Sequence, residues 1–133
     1  MDRLFLDANV LFSAAYRPNA GLLRLWRLKK TTLVSSRYAL EEARINLTDD
    51  LQRGRLTRLS RAIEFFDAPS KDLPQGIVLP DKDAPIVLAA SEAKATHIIT
   101  GDLRHFGPHF GKKIAGILIL TPGDYLKQRA ATT

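Results

Sequence analysis

Short apolar runs alternate with amphipathic stretches along the chain. The first run, Leu4-Phe5-Leu6, and the β-branched segment at residues 31–35 are typical of buried strands in a parallel sheet. The same pattern predicts strands at residues 4–6, 31–35, 77–79, 97–100 and 116–120. Because helices are expected between them, the sequence predicts an α/β fold with a central, mainly parallel sheet of four to five strands and helices on both faces.

Apolar residues at steps of three and four predict the helices. Ser36 is a candidate N-cap for a helix that carries Leu51, and Gly54 is expected to end it. Thr121 with Pro122 is expected to open the terminal helix. The predicted helices begin after residue 7 and cover residues 22–28, 37–53, 56–66, 81–95 and 122–128, with connections at 67–76 and 106–113.

Length and composition restrict the class of protein. The 133 residues predict a single domain, residues 1–133. No cysteine is present, which excludes disulfide scaffolds, thiol catalysis, cysteine–zinc sites and iron–sulfur clusters. The apolar runs are too short to span a membrane, and the amino terminus lacks the order of a signal peptide. We therefore expect a soluble, cytoplasmic protein.

The chain is basic, with a formal net charge of +6 and a pI near 9.9. Such a surplus serves either solubility or a polyanionic partner, most simply nucleic acid. The candidate phosphate-binding residues are Arg17, Arg24, Arg27, Lys29, Lys30 and Arg104.

Several acids fall where an open parallel sheet collects ligands, outside the carboxyl ends of its strands. Asp7 follows the first strand and Asp102 follows the strand at 97–100. Asp83 lies at the head of the helix over 81–95, on the face of Ile86 and Val87. Each acid taken singly could instead cap a helix, occupy a turn or face solvent.

Acidic side chains that converge at one edge of the sheet repel one another unless a cation lies among them. Oxygen ligands in a chain without cysteine favour Mg²⁺ or Mn²⁺ over zinc. A basic protein with one acidic pit has the charge distribution of a metal-dependent nuclease, in which the metal activates water. The sequence therefore predicts a metal-assisted phosphodiester hydrolase.

Four segments resemble the PIN-domain family in order and spacing, over residues 4 to about 126. They are Asp7-Ala8-Asn9-Val10-Leu11, Leu40-Glu41-Glu42-Ala43-Arg44, Asp83-Ala84-Pro85-Ile86-Val87-Leu88-Ala89-Ala90 and Thr100-Gly101-Asp102. The resemblance implies a three-layer α/β/α, Rossmann-like PIN fold and a ribonuclease that cleaves single-stranded RNA to 5′-phosphate and 3′-hydroxyl products. Many bacterial members of the family are VapC-type toxins of toxin–antitoxin pairs, blocked by a small antitoxin, whereas others process RNA.

By the same resemblance the catalytic and metal-holding acids are Asp7, Glu42, Asp83 and Asp102. Asn9 and Thr100 match residues that orient a carboxylate or a water. The choice between Glu41 and Glu42 stays open, as does that between Asp81 and Asp83, because each pair is one or two positions apart. The resemblance also suggests a homodimer formed through residues 36–66.

Two other functions compete with the nuclease. A phosphatase of the haloacid-dehalogenase type also begins with a strand and Asp-x-x, but it needs a second Asp where Asn9 stands. A non-catalytic PIN-like module would bind nucleic acid or act as an adapter, and the four acids count against it.

Overall fold

The computed structural model of the chain describes residues 1–67 and 84–131. Strands alternate with one or two helices over most of these ranges. The strands are β1 Asp2–Leu6, β2 Thr31–Ser36, β3 Ile63–Phe66, β4 His97–Ile99, β5 Lys113–Ile114 and β6 Ile117–Leu120. The α-helices are α1 Ala8–Tyr16, α2 Arg37–Asn46, α3 Asp50–Ser60, α4 Ala84–Glu92, α5 Leu103–Phe106 and α6 Pro122–Ala131, and 3-10 helices cover Gly21–Arg27 and Gly107–His109.

The described strands form one sheet in the order β3-β2-β1-β4-β6-β5. All pairings are parallel except that of β5 with β6. Leu4 of the central strand β1 lies between Leu33 on β2 and His97 on β4. The side chains at residues 4–6 are fully buried, as expected of a strand covered on both faces.

The strand order reverses at β1. From β1 the chain moves outward through β2 to β3, and then crosses to the other side of β1 to form β4 and β6. Right-handed crossovers therefore place α1 to α3 on one face of the sheet and α4 on the other. A reversal of this kind opens a crevice at the carboxyl ends of the two strands that flank it, here β1 and β4.

The predicted fold class is confirmed, and so are the strands at 4–6, 31–35, 97–100 and 116–120 within one or two residues. Both predicted caps are present. Ser36 Oγ accepts a hydrogen bond from the Ala39 amide at 3.0 Å, and Thr121 Oγ1 accepts one from the Asp124 amide at 3.1 Å. The predicted strand at 77–79 and the first three residues of the predicted helix at 81–95 lie outside the described residues.

The prediction that Gly54 ends a helix is wrong. The helix capped by Ser36 ends at Asn46, and Gly54 lies inside α3. A new helix begins because the Asp49 side chain accepts a hydrogen bond from the Leu51 amide at 2.7 Å. Glycine inside a helix costs about 1 kcal/mol relative to alanine, which a well-capped helix tolerates.

Three other segments differ from expectation. Residues 63–66, predicted as the end of a helix, form strand β3 beside β2. Periodicity alone does not distinguish a strand from a helix in so short an apolar run. Residues 113–114 add β5 within the predicted loop, and with β3 and β5 the described sheet has six strands instead of four to five. The segment 21–27 is helical, but of the 3-10 type.

None of the helices in the described ranges is both long enough and apolar enough to cross a lipid bilayer.

Candidate active site

Asp7 occupies the junction between β1 and α1. Its amide donates to the Ile99 carbonyl at 3.1 Å, which continues the β1–β4 ladder by one residue. Its carboxylate Oδ1 accepts a hydrogen bond from the Ala8 amide at 2.7 Å and so caps α1. One buried side chain therefore both caps α1 and lies at the carboxyl edge of the sheet.

The second oxygen of Asp7 is held by side chains. Oδ2 accepts a hydrogen bond from the Thr100 hydroxyl at 2.8 Å and another from Asn9 Nδ2 at 3.1 Å. Asn9 Nδ2 also donates to Thr100 Oγ1 at 3.2 Å, while Asn9 Oδ1 accepts from the Gly101 amide at 2.7 Å. The three side chains thus form a closed network in which each fixes the position of the next.

Asp102 joins the same network through its backbone. Its amide donates to Thr100 Oγ1 at 3.0 Å, so the Thr100 hydroxyl donates once and accepts twice. Thr100 is fully buried and Asp102 is half-buried at the mouth of the crevice. The chain segment after β4 is therefore tied to the chain segment after β1.

The crevice between these segments is a cleft of about 450 Å³. Asp7, Asn9 and Asp102 line it, and α2 contributes Glu42 from the other side. Glu41, in contrast, forms an ion pair with Arg44, and this hydrogen bond lowers the pKa of the Glu41 carboxyl below its ordinary value. Of the two adjacent glutamates, Glu42 is the one that lines the cleft.

The cleft has further lining residues that sequence reasoning did not single out, namely Phe12, Asn46 and Ile86. Helical spacing could have found two of them. Phe12 lies three positions after Asn9 on α1, and Asn46 lies four positions after Glu42 on α2. Residues three or four apart on a helix share a face, so once Asn9 and Glu42 are candidates their neighbours follow.

The donor atoms at the cleft fit a hard divalent cation. Asp7, Glu42 and Asp102 offer carboxylate oxygens and Asn9 offers an amide, the ligand chemistry of Mg²⁺ and Mn²⁺. Within residues 1–67 and 84–131, however, no three acidic or histidine side chains are grouped as a metal site. Asp83 and its alternative Asp81 lie outside the described residues, so the predicted four-acid set stays a prediction.

The predicted phosphate-binding residues do not form one group: Arg104 follows the cleft residue Asp102 by two positions, whereas Lys29 and Lys30 are far from the cleft. Lys29 and Lys30 precede β2, whose first residue Thr31 pairs with Asp2 at the start of β1. They therefore lie at the amino edge of the sheet. The five residues of β1 separate that edge from Asp7, and at about 3.3 Å per residue they span about 16 Å. The structure places the six candidate cations in exposed positions: Arg17 after α1, Arg24 and Arg27 in the first 3-10 helix, Lys29 and Lys30 before β2, and Arg104 in α5.

Comparison with known proteins gives one family and one fold relationship. The PIN domain family model matches residues 3–104. The fold is similar to that in the crystal structure of VapBC2 from Rickettsia felis bound to a DNA fragment from their promoter, with a TM-score of 0.66 and 16% sequence identity over 90% of this chain and 98% of that chain. Among curated proteins no sequence matches.

Proposed function

The chain belongs to the PIN domain family, and we propose that it is a divalent-metal-dependent endoribonuclease that hydrolyses single-stranded RNA. The observation that carries the proposal is the cleft at the reversal of strand order, where Asp7, Glu42 and Asp102 from three separate segments share one lining. Ligands collect at this position of an open α/β sheet.

Mg²⁺ or Mn²⁺ would be held by Asp7, Asp102 and Glu42 together with Asp83, and it would supply Lewis-acid activation of water and charge neutralisation at the phosphate. The oxygen donors of the described cleft support this assignment, because they match the preference of both ions. The network around Asp7 supports it too, since ligand carboxylates are commonly oriented by further hydrogen bonds.

The remaining residues have separate tasks in the proposal. Thr100 and Asn9 hold the Asp7 carboxylate in one orientation, which limits the reorganisation needed when substrate binds. No His or Tyr is among the described residues that line the cleft, so the carboxylates are the groups available to orient water and accept its proton. Arg104, exposed two positions after Asp102, would contact a substrate phosphate.

We further propose that the protein is the toxin of a toxin–antitoxin pair in the cytoplasm. The likeness of its motifs to VapC-type members supports this role, and the fold likeness to the VapBC2 protein is consistent with it. A small antitoxin and a homodimer through residues 36–66 belong to the same proposal. Ile45 and Leu51, in α2 and α3, are 60% and 72% exposed and offer apolar surface for such contacts.

Cleavage of an unstructured RNA labelled at both ends tests the proposal. We expect cleavage with Mn²⁺ and none with EDTA. Asp7→Asn and Asp102→Asn should each lower the cleavage rate by more than roughly 10- to 100-fold, which is the usual effect of removing a hydrogen-bond partner of a metal ligand. Asp50→Asn, the same change at an exposed site in α3, is the control and should cleave normally.

Three results would contradict the nuclease. Equal cleavage by the wild type and both variants would exclude the carboxylates, and RNA binding without cleavage would indicate a non-catalytic module. Release of phosphate from p-nitrophenyl phosphate, with RNA left intact, would indicate a phosphatase.

A further inference from the structure

A second cleft, of about 520 Å³, lies between the 3-10 helix Gly21–Arg27 and α6. Arg24, Arg27 and Lys29 line it, over a floor that includes Leu28 and Leu126. The three cations are exposed, and within residues 1–67 and 84–131 none of them forms an ion pair with a carboxylate. Their charges therefore face the solvent side of the cleft.

The wall of this cleft is held in place by α6. Arg129 donates to Thr31 Oγ1 at 2.6 Å and to the Tyr125 hydroxyl at 2.9 Å, and it also donates to the Lys29 carbonyl. Tyr125 in turn donates to Asp2 Oδ2 at 2.6 Å. The segment that carries Lys29 is thus fixed against both β1 and α6, so the second cleft has a rigid frame.

The two clefts lie at opposite edges of the sheet. Asp2 and Thr31 frame the second cleft at the start of β1 and β2, whereas Asp7 follows the end of β1. The strand between them separates the clefts by about 16 Å. A ligand confined to the acidic cleft therefore does not reach Arg24, Arg27 or Lys29, and these cations serve something else.

We propose that the second cleft binds phosphates of the same RNA molecule whose reacting phosphodiester occupies the acidic cleft. This inference rests on the proposed ribonuclease function. Guanidinium groups bind phosphate oxygens through paired hydrogen bonds. No aromatic side chain is among the described lining residues, so the site lacks a platform for base stacking and reads the backbone instead of the sequence. The preferred substrates are then RNAs long enough, or folded suitably, to extend from one edge of the sheet to the other.

Binding measured with Ca²⁺ in place of Mn²⁺, so that the acidic cleft still holds an oxygen-liganded cation, tests the inference without depending on cleavage. The probes are a dinucleotide, which is too short to extend from one edge of the sheet to the other, and a single-stranded RNA of about 30 nucleotides, longer than a single binding groove. The variant is the double change Arg24→Gln, Arg27→Gln. Its control is Lys112→Gln, Lys113→Gln, which removes the same charge from exposed residues at β5, on the far side of the sheet from β2.

For the long RNA we expect the Arg24→Gln, Arg27→Gln protein to bind about 10- to 30-fold more weakly than wild type at about 0.1 M salt. The slope of log affinity against log salt should fall by about 1.4, since each phosphate contact on a single strand contributes about 0.7. The dinucleotide should bind the variant and the wild type alike, and the control should match wild type with both RNAs.

Equal losses in the variant and the control would show a general effect of net charge and overturn the inference. Unchanged binding of the long RNA by the variant would overturn it as well. Loss of dinucleotide binding in the variant would place Arg24 and Arg27 at the acidic cleft, which also contradicts it. Failure of the proposed nuclease would appear separately. The long RNA would then bind more weakly to the Arg24→Gln, Arg27→Gln protein, as expected, but the wild type would not cleave it when Mn²⁺ is added.

Discussion

The hydroxyl of Thr100 donates a hydrogen bond of 2.8 Å to Oδ2 of Asp7. This bond joins residues that directly follow β1 and β4, the two strands at which the strand order reverses. Because Thr100 also accepts from the Asp102 amide, one hydroxyl sets the relative position of two candidate ligand residues. The geometry of the cleft therefore depends on a side chain that does not itself line it.

Replacement of Thr100 should damage both stability and cleavage. Thr100→Val keeps the shape but removes the hydrogen bonds that Asp7, Asn9 and the Asp102 amide make with the Thr100 hydroxyl, which should cost about 1–3 kcal/mol in the free energy of unfolding. Thr100→Ser retains the hydroxyl and should recover most of the loss. Urea unfolding and RNA cleavage check both variants. If the valine variant cleaved like wild type, Thr100 would have no positioning role.

The adjacent glutamates of α2 offer a matched pair. Glu42→Gln should lower the cleavage rate at least tenfold, since Glu42 lines the cleft and the change removes its negative charge. Glu41→Gln should leave the rate unchanged, because Glu41 pairs with Arg44 on the exposed surface. The loss of that exposed ion pair should hardly affect stability. Single-turnover cleavage rates check this prediction. Equal effects of the two variants would show that Glu42 does not act in the site.

Sequence alone could locate Asp7 and Asp102 because Asp7 directly follows one apolar run and Asp102 closely follows another, and strand ends in a parallel sheet share an edge. It could not separate Glu41 from Glu42, since both flank the apolar face of α2 at similar angles. The distinction depends on the packing of α2 beside α1, which is a tertiary contact. The Glu41–Arg44 ion pair is local, three positions apart on one helix, and helical spacing could have indicated it. Asp83 stays a prediction that the described residues do not test.

The N-caps of α2 and α3 allow stability to be separated from function. Ser36→Ala and Asp49→Ala each remove a capping side chain, and each should cost about 1 kcal/mol in the free energy of unfolding. Because α2 carries Glu42 and α3 contributes no residue to the described cleft lining, the Ser36 variant should lose more cleavage activity. Thermal unfolding and cleavage at a temperature well below both midpoints check this. Equal activities would mean that the start of α2 does not influence the position of Glu42.

Stability should fall as the pH drops from 7.5 to 5.5, partly through His97. Burial lowers the pKa of this imidazole below its ordinary value of 6.5, although the charge of Asp2 opposes the shift. The unfolded chain therefore binds the proton first, and the contribution of His97 is complete above about pH 6.5 and declines as the pH falls through the folded-state value. Urea unfolding at the two pH values should show a smaller loss for His97→Gln than for wild type. An equal loss would assign the pH dependence to other groups.

The positions of the cations depend on the direction of the chain as well as on their clustering in the sequence. Arg17, Arg24, Arg27, Lys29 and Lys30 are clustered in the sequence, which favours one patch. In the fold, α1 runs away from Asp7 and the chain returns to start β2, so these residues follow the helix to the amino edge of the sheet. The direction of the chain, rather than sequence distance from Asp7, decides which edge a residue reaches. That direction follows from the alternation of strands and helices and could have been inferred from it.

Binding of Mn²⁺ reports on the proposed metal site itself, because it needs neither a substrate nor a partner. Isothermal titration of the wild-type protein should show saturable binding, and Asp7→Asn and Asp102→Asn should each weaken it at least tenfold while Asp50→Asn leaves it unchanged. Circular dichroism would confirm that all four proteins are folded. Absence of Mn²⁺ binding by folded wild-type protein, or equal binding by every variant, would contradict the account.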